Sequence, residues 1–439
     1  MARKATAGAP QDRTGAPAST GRRTNDVEYI DSHEAITMLG VRMETFYTYV
    51  SRGLIKTIKN DGKRSKLYRK SDVQSLRSRA AARVGGPKVS SSLRYGAPIA
   101  QTWISEITPS GPLYRGTPAL EVAKEGRSFE AVAELLWTGM PRASDIPWKP
   151  FGFPPELSLL LNEIGTDAGR TSMLRSFAAI CSHFSDFENA GCGASGDTVA
   201  QGRMLLQAFA GAAGLLGAPK AFSPPRRGEL IAACLARGFG LADDGAEVRA
   251  INAALVLSAE HELAAPTFVA RICASTGADL FACVGSALMA HSGPMQVGGC
   301  LDVEAVLDRI LEEAATAEQF LPSASRQSIA ELPCFSHPLY DRDPRSGAIL
   351  EMIGSLNRPR AVVGPIMNYI EAVARQGAYP NIFASTVILA RVLGLPPGRG
   401  AMLNTLARTA GWIAHVMEQR VAGTMLRPRA KYMGKNPIW

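Results

Sequence analysis

The most constraining feature of the sequence is a long series of helix-periodic segments that extends from about Leu93 to the carboxyl end. These segments are rich in Ala and Leu, are punctuated by Pro and Gly, and contain few stretches in which apolar and polar residues alternate as they do in strands. With 46% apolar residues in a chain of 439, there is enough apolar side chain to bury a large core. We therefore predict a mainly α fold, with an all-helical domain over residues 93–439.

The first 92 residues differ from the rest in composition and charge. Residues 1–90 hold 18 Lys and Arg against 8 Asp and Glu, a net charge of +10, although the whole chain carries +9. Residues 1–25 are rich in Ala, Gly, Thr, Pro and Arg and have almost no large apolar side chains, so we expect a disordered basic arm. Residues 85–92, which begin Gly-Gly-Pro, are typical of a linker. A small module over residues 26–84 lies between them.

This module has the element order of a winged helix-turn-helix. Residues 31–34 read Asp-Ser-His-Glu, a helix-capping pattern, and a second helix is indicated over residues 41–52. Two strand-like segments, 55–59 and 65–70, flank an Asn-Asp-Gly turn, and Ser-Asp at 71–72 is a cap for a third helix. Two short helices across a tight turn, a hairpin and a further helix make up the predicted arrangement.

The module resembles the winged helix-turn-helix of the MerR and excisionase families in residues 49–55 (Tyr-Val-Ser-Arg-Gly-Leu-Ile) and 68–73 (Tyr-Arg-Lys-Ser-Asp-Val). DNA binding is what this resemblance implies, and a basic wing beside a narrow helix suits phosphate contacts and the major groove. The candidate DNA-binding residues lie on the second helix and the wing: Arg42, Thr45, Thr48, Arg52, Lys63, Arg64, Lys66 and Arg69. The alternative is a solvated basic face that docks another protein.

Several motifs follow one another along the helical region. They are Glu-His-Glu-Leu at 260–263, Phe-Ser-His-Pro-Leu-Tyr at 335–340, Asp-Pro-Arg at 343–345, Ala-Arg-Thr-Ala-Gly-Trp-Ile-Ala-His at 407–415 and Arg-Pro-Arg-Ala-Lys-Tyr-Met-Gly at 427–434. In these blocks and their order, residues 93–439 resemble the citrate synthase family over nearly their whole length. The resemblance implies a helical fold of two subdomains in an obligate dimer. It also implies that an acyl-CoA, acetyl-CoA in the family, condenses with oxaloacetate to a citrate-type product of the tricarboxylic acid cycle.

The resemblance assigns substrate-binding roles residue by residue. His261 and His337 match the substrate histidines, His337 with a catalytic role, while Arg345, Arg408 and Arg427 match the carboxylate-binding arginines, Arg427 across the dimer. Guanidinium groups suit two-point binding of a carboxylate. Acyl-CoA is a substrate in this reaction, so no bound cofactor is expected. None of the seven cysteines forms a Cys-x-x-Cys pair or a Cys/His cluster, so no metal is expected either.

Two positions depart from the family pattern on the side of the acyl-CoA. Residues 293–299 read Gly-Pro-Met-Gln-Val-Gly-Gly, which places Gln296 where the family has a catalytic histidine. Residues 379–384 read Tyr-Pro-Asn-Ile-Phe-Ala, which places Phe383 where the family has the aspartate that acts as the base. A phenyl ring accepts no proton, whereas an amide retains a donor. His291 lies five residues before Gln296, and on a continuous helix its face would differ by more than about 90°, so we do not expect it to substitute.

Three functions follow from this combination. The first is a citrate synthase-type enzyme whose activity is weak or lost. The second is a catalytically silent regulator that senses a dicarboxylate or an acyl-CoA and binds DNA, and the third is an inactive partner subunit of an active paralogue in a hetero-oligomer. The sequence contains neither a signal-peptide pattern nor an apolar segment of membrane-spanning length, so we expect a cytoplasmic protein.

Overall fold

The structure is a computed structural model of the 439-residue chain. The residues that it describes are 22–24, 27–39, 43–51, 55–59, 66–70, 72–73, 100–141, 144–165, 172–189, 197–217, 220–241, 245–312, 319, 321, 332–428 and 434. The chain divides into two compact units, Met1–Gln101 and Thr102–Trp439.

The first unit contains two short helices and a four-stranded antiparallel sheet among its described residues. The elements are β1 (Arg22–Thr24), β2 (Val27–Ile30), α1 (Ser32–Leu39), α2 (Met43–Ser51), β3 (Thr57–Lys59) and β4 (Lys66–Arg69), and the strand order is β1-β2-β4-β3. The Asp31 carboxylate accepts the Glu34 N–H at 2.8 Å and so caps α1. Phe46 and Tyr68, both buried, meet edge to face with ring centroids 4.8 Å apart, which packs α2 against the hairpin.

The helices and hairpin lie where the sequence placed them, and Asp72 and Val73 are helical as expected for the start of a third helix. Strands β1 and β2 were not expected, and Arg22–Thr24 fall within the segment predicted to be disordered. Lys66 is exposed on β4 and Arg69 is partly buried. Thr45 and Thr48 lie on α2, but the structure does not describe their side chains. Arg42, Arg52, Lys63, Arg64 and the predicted linker at 85–92 lie outside the described residues. The winged helix-turn-helix as a whole stays a prediction.

The second unit is mainly helical, which confirms the predicted fold class. It opens with a small antiparallel sheet that the sequence did not indicate, of β5 (Ser105–Thr108), β6 (Gly111–Tyr114) and β7 (Thr117–Pro118). The helices in chain order are α3 (Ala119–Lys124), α4 (Phe129–Thr138), α5 (Pro155–Gly165), α6 (Ser172–Asn189), α7 (Thr198–Ala212), α8 (Ile231–Gly238), α9 (Gly245–Ser258), α10 (Ala265–Ser275), α11 (Leu280–His291), α12 (Cys300–Glu312), α13 (Pro344–Ser355), α14 (Arg360–Arg375), α15 (Ile382–Val392) and α16 (Arg399–Ala422).

Local sequence explains where several of these helices begin and end. Asp279 caps α11 by accepting the Ala282 N–H at 2.8 Å, and Asp343 caps α13 by accepting the Arg345 N–H at 3.1 Å. Helix α16 ends at Gly423, whose φ of 64° lies in the left-handed region that glycine adopts without strain. None of the described helices is long and apolar enough to cross a membrane.

Helix α16 is the centre of the second unit. Its 24 residues are buried over most of their length, and it packs against α4, α9, α10, α11 and α15. A helix surrounded in this way carries polar side chains into the interior only where they have partners or a function. Arg408 and His415 are two such side chains.

Candidate active site

Two histidines from distant parts of the chain meet side by side. His261 follows α9, His337 precedes α13, and their Nε2 atoms are 2.9 Å apart. The ring of Tyr340 lies 4.8 Å from that of His337 and 6.2 Å from that of His261, measured between centroids. Tyr340 also lines a cavity of about 600 Å³ between β5 and residues 339–342. The histidine pair therefore lies just behind the wall of a ligand-sized cavity.

Neighbouring hydrogen bonds fix the tautomers of the pair. The N–H groups of Leu339 and Tyr340 both donate to Nδ1 of His337, at 3.1 and 3.2 Å, so Nδ1 is an acceptor and the proton of a neutral His337 resides on Nε2. That proton is donated to Nε2 of His261, whose own proton must then be on Nδ1. This Nδ1 has no hydrogen-bond partner among the described residues. The pair thus offers a buried, unfilled N–H donor.

Both histidines are held in the neutral form. Burial lowers the pKa of His337 to about 4, with the charge of Arg345 as a further cause. Burial likewise lowers the pKa of His261 well below its usual value, and Arg345, His337 and Arg408 add to the effect. Neutral imidazoles agree with the tautomers deduced from the hydrogen bonds.

Arg345 is anchored by the residue that caps its helix. Its Nε and Nη2 donate to the two carboxylate oxygens of Asp343 at 2.9 and 2.8 Å, and both side chains are buried. Asp343 also accepts the N–H of Ile382 at 3.0 Å, which ties α13 to the start of α15. Burial alone would raise the pKa of Asp343, but the charge and hydrogen bonds of Arg345 outweigh it and lower the pKa. Arg345 is therefore a fixed positive charge beside the histidines.

Arg408 is a buried guanidinium whose hydrogen bonds are incomplete. Its Nη2 donates to Oγ1 of Thr267 at 2.9 Å, while its Nη1 lies 3.5 Å from the Glu260 carboxylate and has no hydrogen-bond partner among the described residues. Burial lowers its pKa. A buried cation with an unfilled donor is suited to receive a carboxylate.

Glu260 lies beside Arg408 and is itself held in place by two hydrogen bonds. Its Oε1 accepts from Ser105 Oγ at 3.1 Å and from His415 Nε2 at 3.0 Å. Arg271 Nη1, which can only donate, lies 3.2 Å from His415 Nδ1, so the proton of His415 is on Nε2 and points to Glu260. His415 thus has a structural role, because it holds the Glu260 carboxylate in place. Glu260 appeared in the sequence only as part of a motif, and its contact with Arg408 across 148 positions carries no local signal.

Arg427 is not part of this cluster within one chain. It is exposed beyond the end of α16, and no hydrogen bond or ion pair joins it to the other candidate residues in the described part of the structure. The structure therefore brings together four of the five candidate substrate-binding residues: His261, His337, Arg345 and Arg408.

Phe383 occupies the first turn of α15, which is tied by a hydrogen bond to the loop that contains His337. The Asn381 side chain caps this helix by accepting the N–H groups of Phe383 and Ala384 at 2.9 and 3.3 Å, and it donates to the Ser336 carbonyl at 2.9 Å. Position 383 is therefore anchored to the residue that precedes His337. The phenyl ring is partly buried against the core and carries neither charge nor proton acceptor.

Gln296 lies in a tight loop that only glycine allows. A Cβ added at Gly298 would lie 2.6 Å from the Ser292 carbonyl oxygen, and one at Gly299 would lie 2.8 Å from the Pro294 carbonyl oxygen. The loop folds back on the end of α11 and presents Gln296 next to His291, whose pKa it influences.

His291 lies next to Phe383, although helical spacing placed it on a different face from Gln296. Its ring is 5.9 Å from that of Phe383 and 5.2 Å from that of Trp412. Residues 291 and 296 would face different directions only on one continuous helix. Because α11 ends at His291 and the chain then turns, the two residues can approach the same point. A sequence signal for this break exists in Ser-Gly-Pro at 292–294, which favours a turn.

Comparisons with known proteins place the second unit in a family. Residues 94–429 match the family model described as citrate synthase, C-terminal domain. The chain is 31% identical over 201 residues to "putative citrate synthase 2" of Mycobacterium tuberculosis, across 44% of this chain and 53% of that protein. It is 30% identical over 206 residues to the 2-methylcitrate synthase of Shewanella oneidensis, across 45% of this chain and 54% of that protein. The chain thus spans about half the length of the curated relatives that it matches.

The fold is similar to that of solved structures. One is the citrate synthase of Thermoplasma acidophilum in a ternary complex with carboxymethyl coenzyme A and oxaloacetate, with a TM-score of 0.64, 22% identity, and coverage of 78% of this chain and 96% of that chain. Another is the citrate synthase of Thermotoga maritima, with a TM-score of 0.57, 20% identity, and coverage of 78% and 96%. At these identities the likeness concerns the fold.

Proposed function

We propose that this chain, which belongs to the citrate synthase family, binds a keto dicarboxylate of the oxaloacetate type and condenses it with an acyl-CoA only slowly. The single observation that carries the proposal is the pairing of two neutral histidines with two buried arginines, one of which has an unfilled donor. Oxaloacetate has two carboxylates and one ketone oxygen. Two guanidinium groups and one imidazole N–H match these three groups in kind and number.

The slow chemistry follows from Phe383. A condensation of this type begins when a base removes a proton from the carbon next to the thioester, and loss of a positioned base typically lowers the rate by about 10²- to 10⁴-fold. The buried carboxylates of the site do not replace it, because Asp343 is bound to Arg345, and Glu260 is bound to Ser105 and His415. We therefore expect binding without efficient turnover. In this proposal acyl-CoA is a substrate and no cofactor takes part.

The proposal includes a homodimer or a hetero-oligomer with a paralogue. Arg427 is exposed within the single chain and remote from the cluster in its contacts, which supports the role across a dimer that the family resemblance implies. In a hetero-oligomer the same arginine would complete the site of an active partner subunit. The two arrangements differ in whether a second, active subunit is present, and in both of them this chain binds oxaloacetate.

A DNA-binding regulator is the second candidate function. Its supporting observation is the described part of the first unit, where two short helices precede an antiparallel hairpin that exposes Lys66. In this function the second unit would sense the dicarboxylate, and the helices and hairpin would bind DNA. The preserved arginines and the missing base are compatible with such a sensor.

The test combines two measurements on the full chain. Calorimetric titration with oxaloacetate should show binding that is weakened roughly 10- to 10²-fold in Arg408→Met and kept in Arg360→Met, a control at an exposed arginine at the start of α14. Release of free thiol from acetyl-CoA in the presence of oxaloacetate should stay well below about 1 s⁻¹. Absence of oxaloacetate binding by the wild-type protein would refute the proposed site, and fast turnover would refute the slow chemistry.

A further inference from the structure

Three buried polar side chains that lie near one another have hydrogen-bonding atoms without a well-placed partner, and one of them, His291, lies next to Phe383. Both ring nitrogens of His291, Oδ1 of Asn404 and Nε1 of Trp412 make no hydrogen bond of good geometry among the described residues, although Asn404 and Gln296 approach the imidazole, and each of the three side chains is at most 1% exposed. Buried polar atoms are nearly always paired in native proteins, so a cluster of unpaired ones points to a group that binds there.

The cluster is continuous with the dicarboxylate site. Asn404, Arg408 and Trp412 are spaced four residues apart on α16, so they form one stripe along that helix. His291, at the end of α11, lies against this stripe: its ring contacts Trp412, Asn404 is its polar neighbour, and the Arg408 charge influences its pKa. Gln296 and Phe383 are the other neighbours of the imidazole. His291 thus lies between the two positions at which the family chemistry is altered.

We propose that His291 is a further catalytic residue, the neutral hydrogen-bond donor to the carbonyl oxygen of the acyl thioester. The inference rests on the proposed function and assigns to this imidazole the donor role that the family resemblance gives to a histidine at position 296. The His291 proton stays on the ring, and no bond is made or broken by the side chain itself. The hydrogen bond polarises the carbonyl and stabilises negative charge that develops on its oxygen.

The environment keeps this imidazole in the form that the role requires. Burial, and after it the positive charge of Arg408, lowers the pKa of His291 to about 3, so the ring is neutral at physiological pH. A neutral imidazole keeps one N–H group, which it can donate to a carbonyl oxygen and so polarise the carbonyl. The ring of the partly exposed Phe383 lies 5.9 Å from that of His291, measured between centroids, and is tilted by 45° to it.

Gln296 is the competing donor, and the two can be separated. The probe is acetyl-CoA carrying ¹³C at its thioester carbonyl, bound to the full chain with and without L-malate, a dicarboxylate that has no ketone to condense. A carbonyl that accepts a strong hydrogen bond shifts its ¹³C resonance downfield. We expect this shift in the wild-type protein and in Gln296→Leu, its loss in His291→Leu, and partial recovery in His291→Asn, which restores an amide donor.

A kinetic measurement provides a second test. In a Phe383→Asp background, in which a carboxylate is returned to position 383, adding His291→Leu should lower the condensation rate by at least about 10²-fold, the usual effect of removing one such donor. Adding Gln296→Leu instead should lower it by less than about 10-fold. Equal losses in the two variants, or a carbonyl shift that survives His291→Leu, would overturn the proposal.

Binding of oxaloacetate separates this inference from the proposed function. It should be unchanged in His291→Leu and His291→Asn, because the imidazole contacts the acyl group and not the dicarboxylate. If the wild-type protein fails to bind oxaloacetate, the proposed function is wrong, whereas the carbonyl shift measured without L-malate still decides the role of His291. A variant that loses oxaloacetate binding together with the shift would show a structural role and refute the catalytic one.

Discussion

The two buried arginines of the site should respond in different ways to removal of their charge. Arg345 donates to Asp343 at 2.9 and 2.8 Å, and the side chains are 1% and 0% exposed. Arg345→Met would leave a buried carboxylate without its counter-charge. Breaking a buried pair in this way typically costs about 3–5 kcal/mol of the free energy of unfolding.

Arg408 should contribute less to the stability of the fold. Among the described residues it makes one hydrogen bond, to Thr267, and its distance of 3.5 Å from Glu260 is too long for a second one. After Arg408→Met, Glu260 keeps its hydrogen bonds with Ser105 and His415. Loss of the hydrogen bond to Thr267 and of the contact with Glu260 should therefore cost about 1.5–3 kcal/mol, less than the loss of the Arg345–Asp343 pair.

The two variants should be alike in binding. A hydrogen bond to a charged group contributes about 1.5–3 kcal/mol, so loss of either guanidinium should weaken oxaloacetate binding by roughly 10- to 10²-fold. Urea unfolding at neutral pH without ligand, followed by circular dichroism, measures the stability, and calorimetric titration measures the affinity. Arg360→Met is the control for removal of an exposed arginine. An Arg408→Met protein as unstable as Arg345→Met, or one that binds oxaloacetate normally, would refute the reasoning.

Three further predictions concern packing, pH and DNA. Gly411→Ala would place a Cβ 2.0 Å from Oε2 of Glu260, so we expect the free energy of unfolding to fall by about 1–3 kcal/mol and the thermal shift induced by oxaloacetate to become smaller. Gly354→Ala is the control: its Cβ would have no atom within 4 Å, so the change should be neutral or slightly stabilising. The folded-state pKa of His291, about 3, lies below the usual 6.5, so its contribution to stability is present above pH 6.5 and is lost as the pH falls toward 3. His291→Leu should therefore remove about 2 kcal/mol of the stability difference between pH 6.5 and pH 5 in urea unfolding, and an unchanged pH dependence would contradict this. If the first unit binds DNA, its affinity for inverted-repeat duplexes should fall steeply as the salt concentration rises. Lys66→Ala with Arg69→Ala should reduce the slope of log affinity against log salt concentration by about one for each phosphate that is no longer neutralised. A slope that both substitutions leave unchanged would count against DNA binding.

Much of the second unit could be predicted from the sequence because its signals are local. Apolar residues at helical spacing indicated the helices, and the structure confirmed the mainly α fold. The motifs placed His261, His337, Arg345 and Arg408 at family positions, and the structure brings these four together although they lie up to 147 residues apart in sequence. A motif that extends over many residues identifies side chains that meet in the folded protein, which the spacing of residues along the chain does not reveal.

The parts that could not be predicted depend on where elements end and on contacts between distant segments. The strands β5 to β7 are two to four residues long, too short for alternation to be recognised. The position of His291 depends on the end of α11, and helix ends are the least certain feature of a sequence pattern. The partners of Glu260 come from β5 and from α16, and the sequence gives no indication of such long-range pairs.

The central claim is that the dicarboxylate side of the site is intact and that the missing base limits catalysis. The most direct test is the rate of citrate formation by the Phe383→Asp, Gln296→His protein, compared with the wild-type protein under the same saturating acetyl-CoA and oxaloacetate. Because a positioned base contributes about 10²- to 10⁴-fold, we predict a gain of at least about 10²-fold. A folded double variant that binds oxaloacetate as tightly as the wild-type protein, yet condenses it no faster, would contradict the account.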